Sequence, residues 1–309
     1  MKVFFHTLGC KVNQYETQEM REQLNKNGYN VTENECDADI FVVNSCTVTS
    51  ESDRKTRQCV RHYKKKYPDS TVVLTGCMPQ SFPEMAEKLT EADIVLGNKN
   101  NKLLVKALNE HFSAGCRTLY MEQHQSGEAL VSSGISNFEE RTRAILKIED
   151  GCDRFCTYCI IPTARGWVRS KPVAEIKDEA ENLAKNGYVE VVLVGINLTS
   201  YGKGEDINIC DAVDAVCSVS GIKRVRLGSL EPDHITDQML ERFKKQEKFC
   251  PQFHLSLQSG CDKTLKRMNR HYDTAFYRDL VERIRKAFSD AAITTDIMVG
   301  FAGESEQEF

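Results

Sequence analysis

The first hundred residues alternate short runs of apolar, often β-branched residues with longer stretches in which apolar and polar positions follow a helical period. This alternation is typical of a parallel sheet whose strands are joined by crossover helices. The pattern therefore predicts an open α/β domain at the N-terminus. Its predicted strands span residues 3–8, 39–44, 71–75 and 93–96, and its predicted helices span 13–27, 51–66, 79–89 and 99–111.

The alternation lapses after residue 112, where Gly, Ser, Gln and Asn gather without periodicity. Such a composition is typical of an irregular linker, and we expect its boundary near Phe138. Strand and helix patterns then resume. The predicted strands of this second part span 144–148, 190–194, 224–227, 252–257 and 293–299, and its predicted helices include 173–186 and 275–288.

Five parallel strands with intervening helices predict a (β/α) barrel, in which chemistry gathers at the C-terminal ends of the strands. Residues 139–309 are fewer than the roughly 200 to 250 residues of a complete eight-stranded barrel, so we expect a partial barrel. The predicted fold class is α/β. An open parallel-sheet domain at 1–112 is followed by a linker at 113–138 and a partial barrel at 139–309 that stops after its fifth strand.

Composition changes this outline little. Hydrophobic residues make up 40% of the 309 positions and charged residues 28%, which excludes fibrous and low-complexity chains. A formal net charge of −4 excludes a wholly basic nucleic-acid binder but allows a local basic face. No run approaches the ~18 to 20 apolar residues of a membrane span, and no secretion signal opens the chain, so we expect a cytoplasmic protein with no membrane contact.

Cysteine is the unusual residue of this composition. The chain has 13 cysteines, an odd number in a protein too large to need disulfide bonds for its stability. Most of them are therefore expected to be free thiols or metal ligands in a reducing compartment.

Three cysteines fall in one loop directly after the first strand of the predicted barrel. Cys152, Cys156 and Cys159 have the spacing Cys-x3-Cys-x2-Cys, which brings three thiolates close enough to hold three corners of a cubane iron–sulfur cluster. Three ligands leave one iron open, and an open position is what a catalytic metal needs to bind an exchangeable ligand. The alternative is a zinc knuckle that lacks its fourth ligand.

The later strand ends each carry a glycine together with a polar side chain. Glycine allows close approach of the backbone to a ligand, and a polar side chain there reaches ribose or carboxylate groups. A single glycine with a polar neighbour also fits an ordinary loop with a solvated side chain. Its repetition at several strand ends favours a ligand-binding site. The candidate contacts are Gly195, Asn197, Ser229, Glu231, Gln258 and Gly300.

A second set of cysteines follows the predicted strands of the N-terminal domain. Cys10, Cys46 and Cys77 each lie just past the C-terminal end of a strand. Parallel strands bring such ends to one sheet edge, where open α/β sheets usually bind ligands, so the three thiols are candidates for a second cluster. Three unrelated buried cysteines are the alternative. We interpret the other cysteines as structural, with Cys261 the doubtful one: Cys36, Cys59, Cys116, Cys210, Cys217, Cys250 and Cys261.

Almost the whole chain resembles the methylthiotransferase family of radical S-adenosylmethionine enzymes. The matching motifs are TLGCKVNQYET at residues 7–17, NSCTVT at 44–49, TGC at 75–77 and the cysteine loop through IPTARG at 161–166. The stretches KVNQ at 11–14 and HLSLQSGC at 254–261 are similar to the branch that modifies N6-threonylcarbamoyladenosine at position 37 in the tRNA anticodon loop.

The resemblance implies two [4Fe–4S] clusters and two molecules of S-adenosylmethionine. The cluster on Cys152, Cys156 and Cys159 would cleave S-adenosylmethionine after accepting an electron from a donor such as flavodoxin or ferredoxin, and Tyr158 would lie beside the adenine. The resulting radical would remove hydrogen from C2 of the tRNA adenine. The auxiliary cluster on Cys10, Cys46 and Cys77 would hold or supply the sulfur.

Other branches act on another tRNA adenosine or on a ribosomal protein, and a truncated, inactive iron–sulfur or RNA-binding homologue is a further alternative. Family members usually continue with a sixth strand and a TRAM domain, so the end of this sequence at 304–309 is expected to be a truncation. For RNA contact we expect a basic face on the helix at 54–66, with Tyr63, and a second basic stretch at 263–270; an ordinary solvated surface is the alternative for the helix.

Overall fold

The computed structural model describes residues 1–138 and 142–309, which form two compact units. The first unit comprises Met1–Glu128 together with Ile160–Trp167, and the second comprises Ala129–Cys159 and Val168–Phe309. The predicted start of the second domain, residue 139, lies outside the described residues. The short segment Ile160–Trp167 belongs to the first unit although the sequence pattern places it within the second domain.

The first unit contains a six-stranded parallel sheet with the strand order β2-β1-β3-β4-β5-β6. The predicted open α/β domain is therefore confirmed. Its strands are β1 (Lys2–Thr7), β2 (Asn30–Val31), β3 (Ile40–Ser45), β4 (Thr71–Gly76), β5 (Ile94–Leu96) and β6 (Thr118–Tyr120). Its helices are α1 (Lys11–Lys26), α2 (Ser50–Lys66), α3 (Cys77–Ser81), α4 (Pro83–Lys88), α5 (Leu104–Ala114) and α6 (Ile161–Arg165), with 3-10 turns at Glu35–Asp37 and Asn98–Leu103.

The central strands show why the sequence folds in this way. Every residue of β3 and β4 is buried, as expected for parallel strands covered by helices on both faces. Val42 packs into one apolar cluster and Val43 into another, because successive side chains of a strand point to opposite faces. The helix α2 begins after Thr49, whose hydroxyl accepts a hydrogen bond from the backbone N–H of Ser52 at 3.1 Å.

Two expectations for this unit need correction. The predicted linker at 113–138 contains β6, which pairs in parallel with β5; only three residues long, this strand shows no clear periodicity in the sequence. The predicted helix at 79–89 is two helices, α3 and α4, because the backbone at Phe82 is not helical and Pro83 starts the second one.

The second unit contains two three-stranded parallel sheets, with strand orders β11-β10-β7 and β12-β13-β14, and a small antiparallel pair β8-β9. Its strands are β7 (Ala144–Lys147), β8 (Glu149–Asp150), β9 (Arg169–Ser170), β10 (Glu190–Val194), β11 (Arg224–Leu227), β12 (Ser229–Leu230), β13 (Gln252–Leu255) and β14 (Ala292–Thr294). Its helices are α7 (Val173–Lys185), α8 (Ile209–Cys217), α9 (Asp237–Lys244), α10 (Asp262–Arg267) and α11 (Thr274–Ala287), with 3-10 turns at Leu198–Ser200 and Pro232–His234.

The two sheets of this unit are joined through a single chain segment. β11 and β12 are separated only by Gly228, whose backbone N–H donates to the carbonyl of Leu193 in β10 at 2.8 Å. The strand order across both sheets is therefore β7, β10, β11 continued by β12, then β13 and then β14. The described residues contain no closed barrel. This arrangement confirms the predicted partial barrel. Across the same residues, no helix combines the length and the apolar character needed to cross a bilayer.

Candidate metal centres

The N-terminal cysteines lie at the ends of three neighbouring strands. Cys10 precedes the first turn of α1, Cys46 follows β3, and Cys77 is the first residue of α3 directly after β4. The strands β1, β3 and β4 are adjacent and in register, with Thr7 opposite Asn44 and Ser45 opposite Gly76. The topology thus brings all three thiols to the same edge of the sheet, although they are far apart in sequence.

Asn13 connects the three cysteine segments. Its Oδ1 lies 4.0 Å from Sγ of Cys10 and 3.9 Å from Sγ of Cys77. Its Nδ2 donates to the carbonyls of Leu8 and Ser45, at 2.8 Å in both cases. Asn13 is fully buried on α1, and its two hydrogen bonds hold together the strand ends that carry the cysteines.

Two glycines allow the cysteine segments to come this close. Gly9 has φ +100°, and a Cβ at this position would lie 2.7 Å from Cβ and 3.0 Å from Sγ of Cys46. Gly76 has φ +96°, and its Cβ would lie 2.5 Å from the carbonyl oxygen of Ser45. A larger residue would therefore force the strand ends apart.

The environment of these thiols is mixed. Cys46 and Cys77 are buried, while Cys10 is exposed. Burial raises the pKa of the Cys77 thiol to about 11, and the nearby Arg165 guanidinium acts in the opposite direction. Since cysteine binds iron as the thiolate, metal binding must displace the proton from Cys77. Three cysteines with one side open to solvent fit the sulfur ligands of an iron–sulfur cluster.

The C-terminal cysteines occupy a single loop of the second unit, after β8. The backbone turns at Phe155, which has φ +48°. Asn269 holds this turn because its Nδ2 donates to the carbonyls of Arg154 and Phe155, at 3.2 and 3.1 Å. Thr157 is held by the same neighbouring segment: its backbone N–H donates to the Met268 carbonyl at 3.2 Å. The loop therefore depends on contacts from residues that follow α10.

Arg270 places a positive charge beside this cysteine loop. Its Nη1 lies 3.3 Å from Sγ of Cys156, and its Nη2 is paired with Glu231. The pKa of Cys152 is raised to about 12, mainly by burial and in smaller part by the neighbouring thiols Cys159 and Cys156. A guanidinium in contact with a sulfur of the loop compensates charge when the thiols are deprotonated.

The two triads offer the donor atoms that iron–sulfur clusters use. Among residues 1–138 and 142–309, no three His, Cys, Asp or Glu side chains converge as a single metal ion requires. Both triads offer sulfur ligands, which iron–sulfur clusters use and magnesium or calcium do not.

The second unit also contains the other predicted cofactor contacts, and two of them lie beside a buried carboxyl. Position 195 must be glycine, because a Cβ there would overlap Oε2 of Glu149. The backbone N–H of Asn197 donates to the same Oε2 at 2.8 Å. Glu149 Oε1 and Asn197 Nδ2 are buried and have no hydrogen-bond partner within the described part of the chain. Burial raises the pKa of Glu149 well above its usual range, and Asp150 adds to this effect.

The remaining predicted contacts have different surroundings. Tyr158 packs edge-on against Phe301, with 6.2 Å between ring centroids. Ser229 is exposed in β12. Glu231 is occupied by ion pairs with arginines, a fact that the sequence pattern does not reveal. Gln258 and Gly300 both have positive φ, of 69° and 71°.

Sequence reasoning missed Asn269 and Arg270. The basic stretch at 263–270 includes Arg270, but the Arg270 side chain is buried against Cys156. Arg267 of the same stretch pairs with Glu308 at 3.0 Å. A sequence feature that points to this role is the tyrosine two residues after Arg270. Tyr272 Oη accepts a hydrogen bond from Arg270 Nε at 3.0 Å and so helps to hold the guanidinium in place.

One residue of the basic face predicted on α2, Tyr63, differs from expectation. Tyr63 is buried and stacks on Phe41 with 4.5 Å between ring centroids, so it is not available to a nucleic-acid base. Most of the cations on this helix are paired with carboxylates. These pairs are Arg54 with Glu51, Arg61 with Glu91, Lys64 with Asp93 and Lys66 with Glu35.

All 13 cysteines lie within the described residues, and none of them forms a disulfide bond there. Among those interpreted as structural, Cys210 and Cys217 are buried, as a small apolar residue would be. Cys36 and Cys116 are exposed, so burial does not explain them. Cys261 directly precedes α10 and is partly exposed.

The chain is similar to known proteins over nearly its whole length. Residues 2–97 match the model of "Uncharacterized protein family UPF0004", and residues 146–309 match the radical SAM superfamily. The chain is 37% identical over 309 residues to the threonylcarbamoyladenosine tRNA methylthiotransferase MtaB of Bacillus subtilis (strain 168), covering 99% of this chain and 68% of that protein. It is 35% identical over 312 residues to the tRNA-2-methylthio-N(6)-dimethylallyladenosine synthase of Clostridium perfringens (strain SM101 / Type A), covering 98% and 69%.

A similar fold is found among solved structures. The radical S-adenosylmethionine methyltransferase TsrM from Kitasatospora setae aligns with a TM-score of 0.64 at 14% identity, covering 96% of this chain and 67% of that one. At this identity the likeness concerns the fold alone. The sequence relatives and the superfamily match identify the family: the chain belongs to the radical S-adenosylmethionine methylthiotransferases.

Proposed function

We propose that this enzyme attaches a methylthio group to C2 of N6-threonylcarbamoyladenosine at position 37 of tRNA. The observation that carries the proposal is the presence of two separate cysteine triads, one at a sheet edge in the first unit and one in a loop of the second. A methylthio transfer needs radical chemistry and a source of sulfur, and each triad supplies a place for one of them. The name of the Bacillus subtilis relative supports the choice of base.

In the second unit, Cys152, Cys156 and Cys159 would hold a [4Fe–4S] cluster whose fourth iron is open to S-adenosylmethionine. When bound, this cluster supplies the electron that cleaves S-adenosylmethionine to a carbon radical. The chain holds the loop in place through Asn269 and brings the charge of Arg270 to the sulfur of Cys156.

S-adenosylmethionine would bind across the strand ends of the same unit. Polar groups that are buried without a partner cost free energy, and such atoms in an enzyme indicate where a ligand supplies the missing hydrogen bonds. Glu149 and Asn197 carry two such atoms within residues 1–138 and 142–309. We propose that they contact the cofactor together with the residues predicted from the strand ends: Tyr158, Gly195, Ser229, Glu231, Gln258 and Gly300.

In the first unit, Cys10, Cys46 and Cys77 would hold the auxiliary [4Fe–4S] cluster, which holds or supplies the sulfur. The exposed Cys10 leaves this site open on one side. Two molecules of S-adenosylmethionine would serve each product, one for the radical and one for the methyl group. The partners are tRNA and a reductant such as flavodoxin or ferredoxin, and the reaction belongs in the cytoplasm.

The radical step is tested with the full chain, reconstituted anaerobically with iron and sulfide and supplied with dithionite and S-adenosylmethionine. Formation of 5′-deoxyadenosine is measured by liquid chromatography and mass spectrometry. Cys152→Ala is expected to abolish the product because the cluster loses a ligand. Cys250→Ala, at a partly exposed cysteine of the same unit, is the matched control and should retain it. Full activity of Cys152→Ala would refute the assignment.

The substrate is tested by offering two tRNAs, one with N6-threonylcarbamoyladenosine and one with N6-dimethylallyladenosine at position 37. Nucleoside mass spectrometry should find the methylthio derivative only of the first. Modification of the second alone would favour the activity that the name of the Clostridium perfringens relative describes. No modification of either tRNA, with cleavage of S-adenosylmethionine intact, would point to a different substrate such as a ribosomal protein.

A further inference from the structure

Arg165 is a buried cation in the first unit, at the end of α6. Only 1% of its side chain is exposed, and the side chain of its ion-pair partner Glu16 is 6% exposed. Nη1 and Nη2 of Arg165 both contact the Glu16 carboxylate, and Nη2 also donates to Asn13 Oδ1 at 2.6 Å. Because Glu16 and Asn13 lie one turn apart on α1, they fix the guanidinium in one orientation.

These contacts place Arg165 beside the N-terminal cysteines. The Oδ1 of Asn13 that accepts from Arg165 is the same atom that lies within 4.0 Å of Sγ of Cys10 and 3.9 Å of Sγ of Cys77. Asn98 repeats the pattern, since its Nδ2 donates to the carbonyl of Ala164 at 2.7 Å and lies 3.9 Å from Sγ of Cys77. The segment Ile160–Trp167 is thus part of the surroundings of the auxiliary site.

The charges explain why a buried arginine is needed here. Three thiolates around a [4Fe–4S]²⁺ core leave a net negative charge, and the neighbouring Glu16 carboxylate is a second anion in the same buried region. Unpaired charges are costly away from water, so the two anions need a compensating cation. Arg165 supplies it. Without Arg165, the carboxylate of Glu16 would face the cluster uncompensated.

We propose that the buried pair Arg165–Glu16 controls the iron affinity and the reduction potential of the auxiliary cluster, with Arg165 as a positioning residue. This inference rests on the proposed function, since it assumes a cluster on Cys10, Cys46 and Cys77. The reduction potential of an iron–sulfur cluster depends on net charge and on hydrogen bonds around it. Removal of the arginine therefore shifts the potential downward, and removal of the glutamate shifts it upward.

The test uses the full chain with Cys152, Cys156 and Cys159 replaced by alanine, so that any cluster formed belongs to the N-terminal triad. This parent protein is reconstituted anaerobically with iron and sulfide. Iron release to a chelator gives the relative affinity, and a redox titration followed by electron paramagnetic resonance gives the midpoint potential. The variants Arg165→Gln, Arg165→Lys, Glu16→Gln and the double variant Glu16→Gln with Arg165→Gln are compared in this background.

Arg165→Gln is expected to lose iron about tenfold faster and to have a more negative potential, because supporting residues of metal sites contribute affinity on this scale. Glu16→Gln should have a less negative potential. The double variant should return close to the parent, since both charges are removed together. Arg165→Lys, which keeps the charge but not the fork of donors, should fall between Arg165→Gln and the parent.

The matched control is Arg21→Gln. Arg21 is another buried arginine of the first unit, but it lies on α1 and forms an ion pair with Glu33. This variant should leave the potential unchanged. If Arg165→Gln fails to fold, as judged by the fluorescence of Trp167, then Glu16→Gln decides the matter, and an unchanged potential in it refutes the proposal.

The possible failures are distinguishable. A parent protein that binds iron, with Arg165→Gln showing the same iron release and the same potential, overturns the role of Arg165 and leaves the proposed function standing. A parent protein that binds no iron overturns both, because no auxiliary cluster would then exist on Cys10, Cys46 and Cys77.

Discussion

The two cysteine triads are built by different means. In the first unit the cysteines follow three separate strands, and backbone hydrogen bonds of the sheet define their positions. In the second unit the cysteines share one loop, and side chains from the segment after α10 define its shape. A site built on strands is preformed by the fold, whereas a site in a loop depends on a few individual contacts. Folding of the first unit should therefore be most sensitive to backbone changes at the strand ends, and iron retention in the second unit should be most sensitive to the side chains that hold its loop.

The two triads nevertheless share one electrostatic feature, an arginine–glutamate ion pair. Each has a buried arginine in an ion pair with a glutamate: Arg165 with Glu16 in the first unit and Arg270 with Glu231 in the second. Each of these arginines also lowers the pKa of a nearby group against the effect of burial, Cys77 in one case and Tyr158 in the other. Buried deprotonated thiols require a compensating positive charge, and in both sites a buried arginine supplies it.

The largest expected effect comes from a backbone change at the strand-built site. Gly76→Ala places a Cβ 2.5 Å from backbone atoms of Ser45 at φ +96°, so it combines a steric clash with an unfavourable conformation. We expect a loss of roughly 3 kcal/mol in the free energy of unfolding of the first unit. Urea unfolding of the apoprotein measures it through Trp167, the single tryptophan of the chain, which lies in this unit.

Gly115→Ala is the control for this experiment. Gly115 also has a positive φ, of 64°, but a Cβ there meets no atom within 4 Å. Its expected cost is only about 1 kcal/mol, from the backbone conformation alone. Equal effects of the two substitutions would show that close packing of the strand ends is not what Gly76 provides.

A smaller effect is expected from a side-chain change at the loop-built site. Arg270→Gln removes the contact with Cys156 and leaves Glu231 without one of its cations. In a full chain with Cys10, Cys46 and Cys77 replaced by alanine, iron should be released to a chelator about tenfold faster. Arg267→Gln is the control, because the Arg267 side chain pairs with Glu308 while its backbone carbonyl still accepts from Thr157. Indistinguishable release from both variants would contradict the role of Arg270.

Much of this molecule is predictable from its sequence, for physical reasons. The buried strands β3 and β4 are continuous apolar runs, and parallel topology then determines where Cys46 and Cys77 lie. The local spacing of Cys152, Cys156 and Cys159 is visible without any fold. The roles of Arg165 and Arg270 were not predictable, because an arginine in a polar stretch gives no sign of whether it is exposed or buried against a cysteine.

Errors at the element level have a similar origin. The strand β6 has three residues, which are too few for a period to be recognised, so the sequence pattern predicts a linker in this segment. Tyr63 lies among basic residues on α2, but it falls on the buried side of the helix and packs on Phe41. Short elements and mixed helix faces are decided by tertiary packing, which local sequence patterns do not contain.

We propose, as the central claim, that each unit holds its own iron–sulfur cluster. The most direct test is the iron and sulfide content of the full chain reconstituted after replacement of Cys152, Cys156 and Cys159 by alanine, beside the unmodified protein. Two clusters predict about eight irons per chain in the unmodified protein and about four in the variant, with cluster absorbance retained. A variant that binds no iron above the background of a protein lacking all six cysteines would contradict the claim.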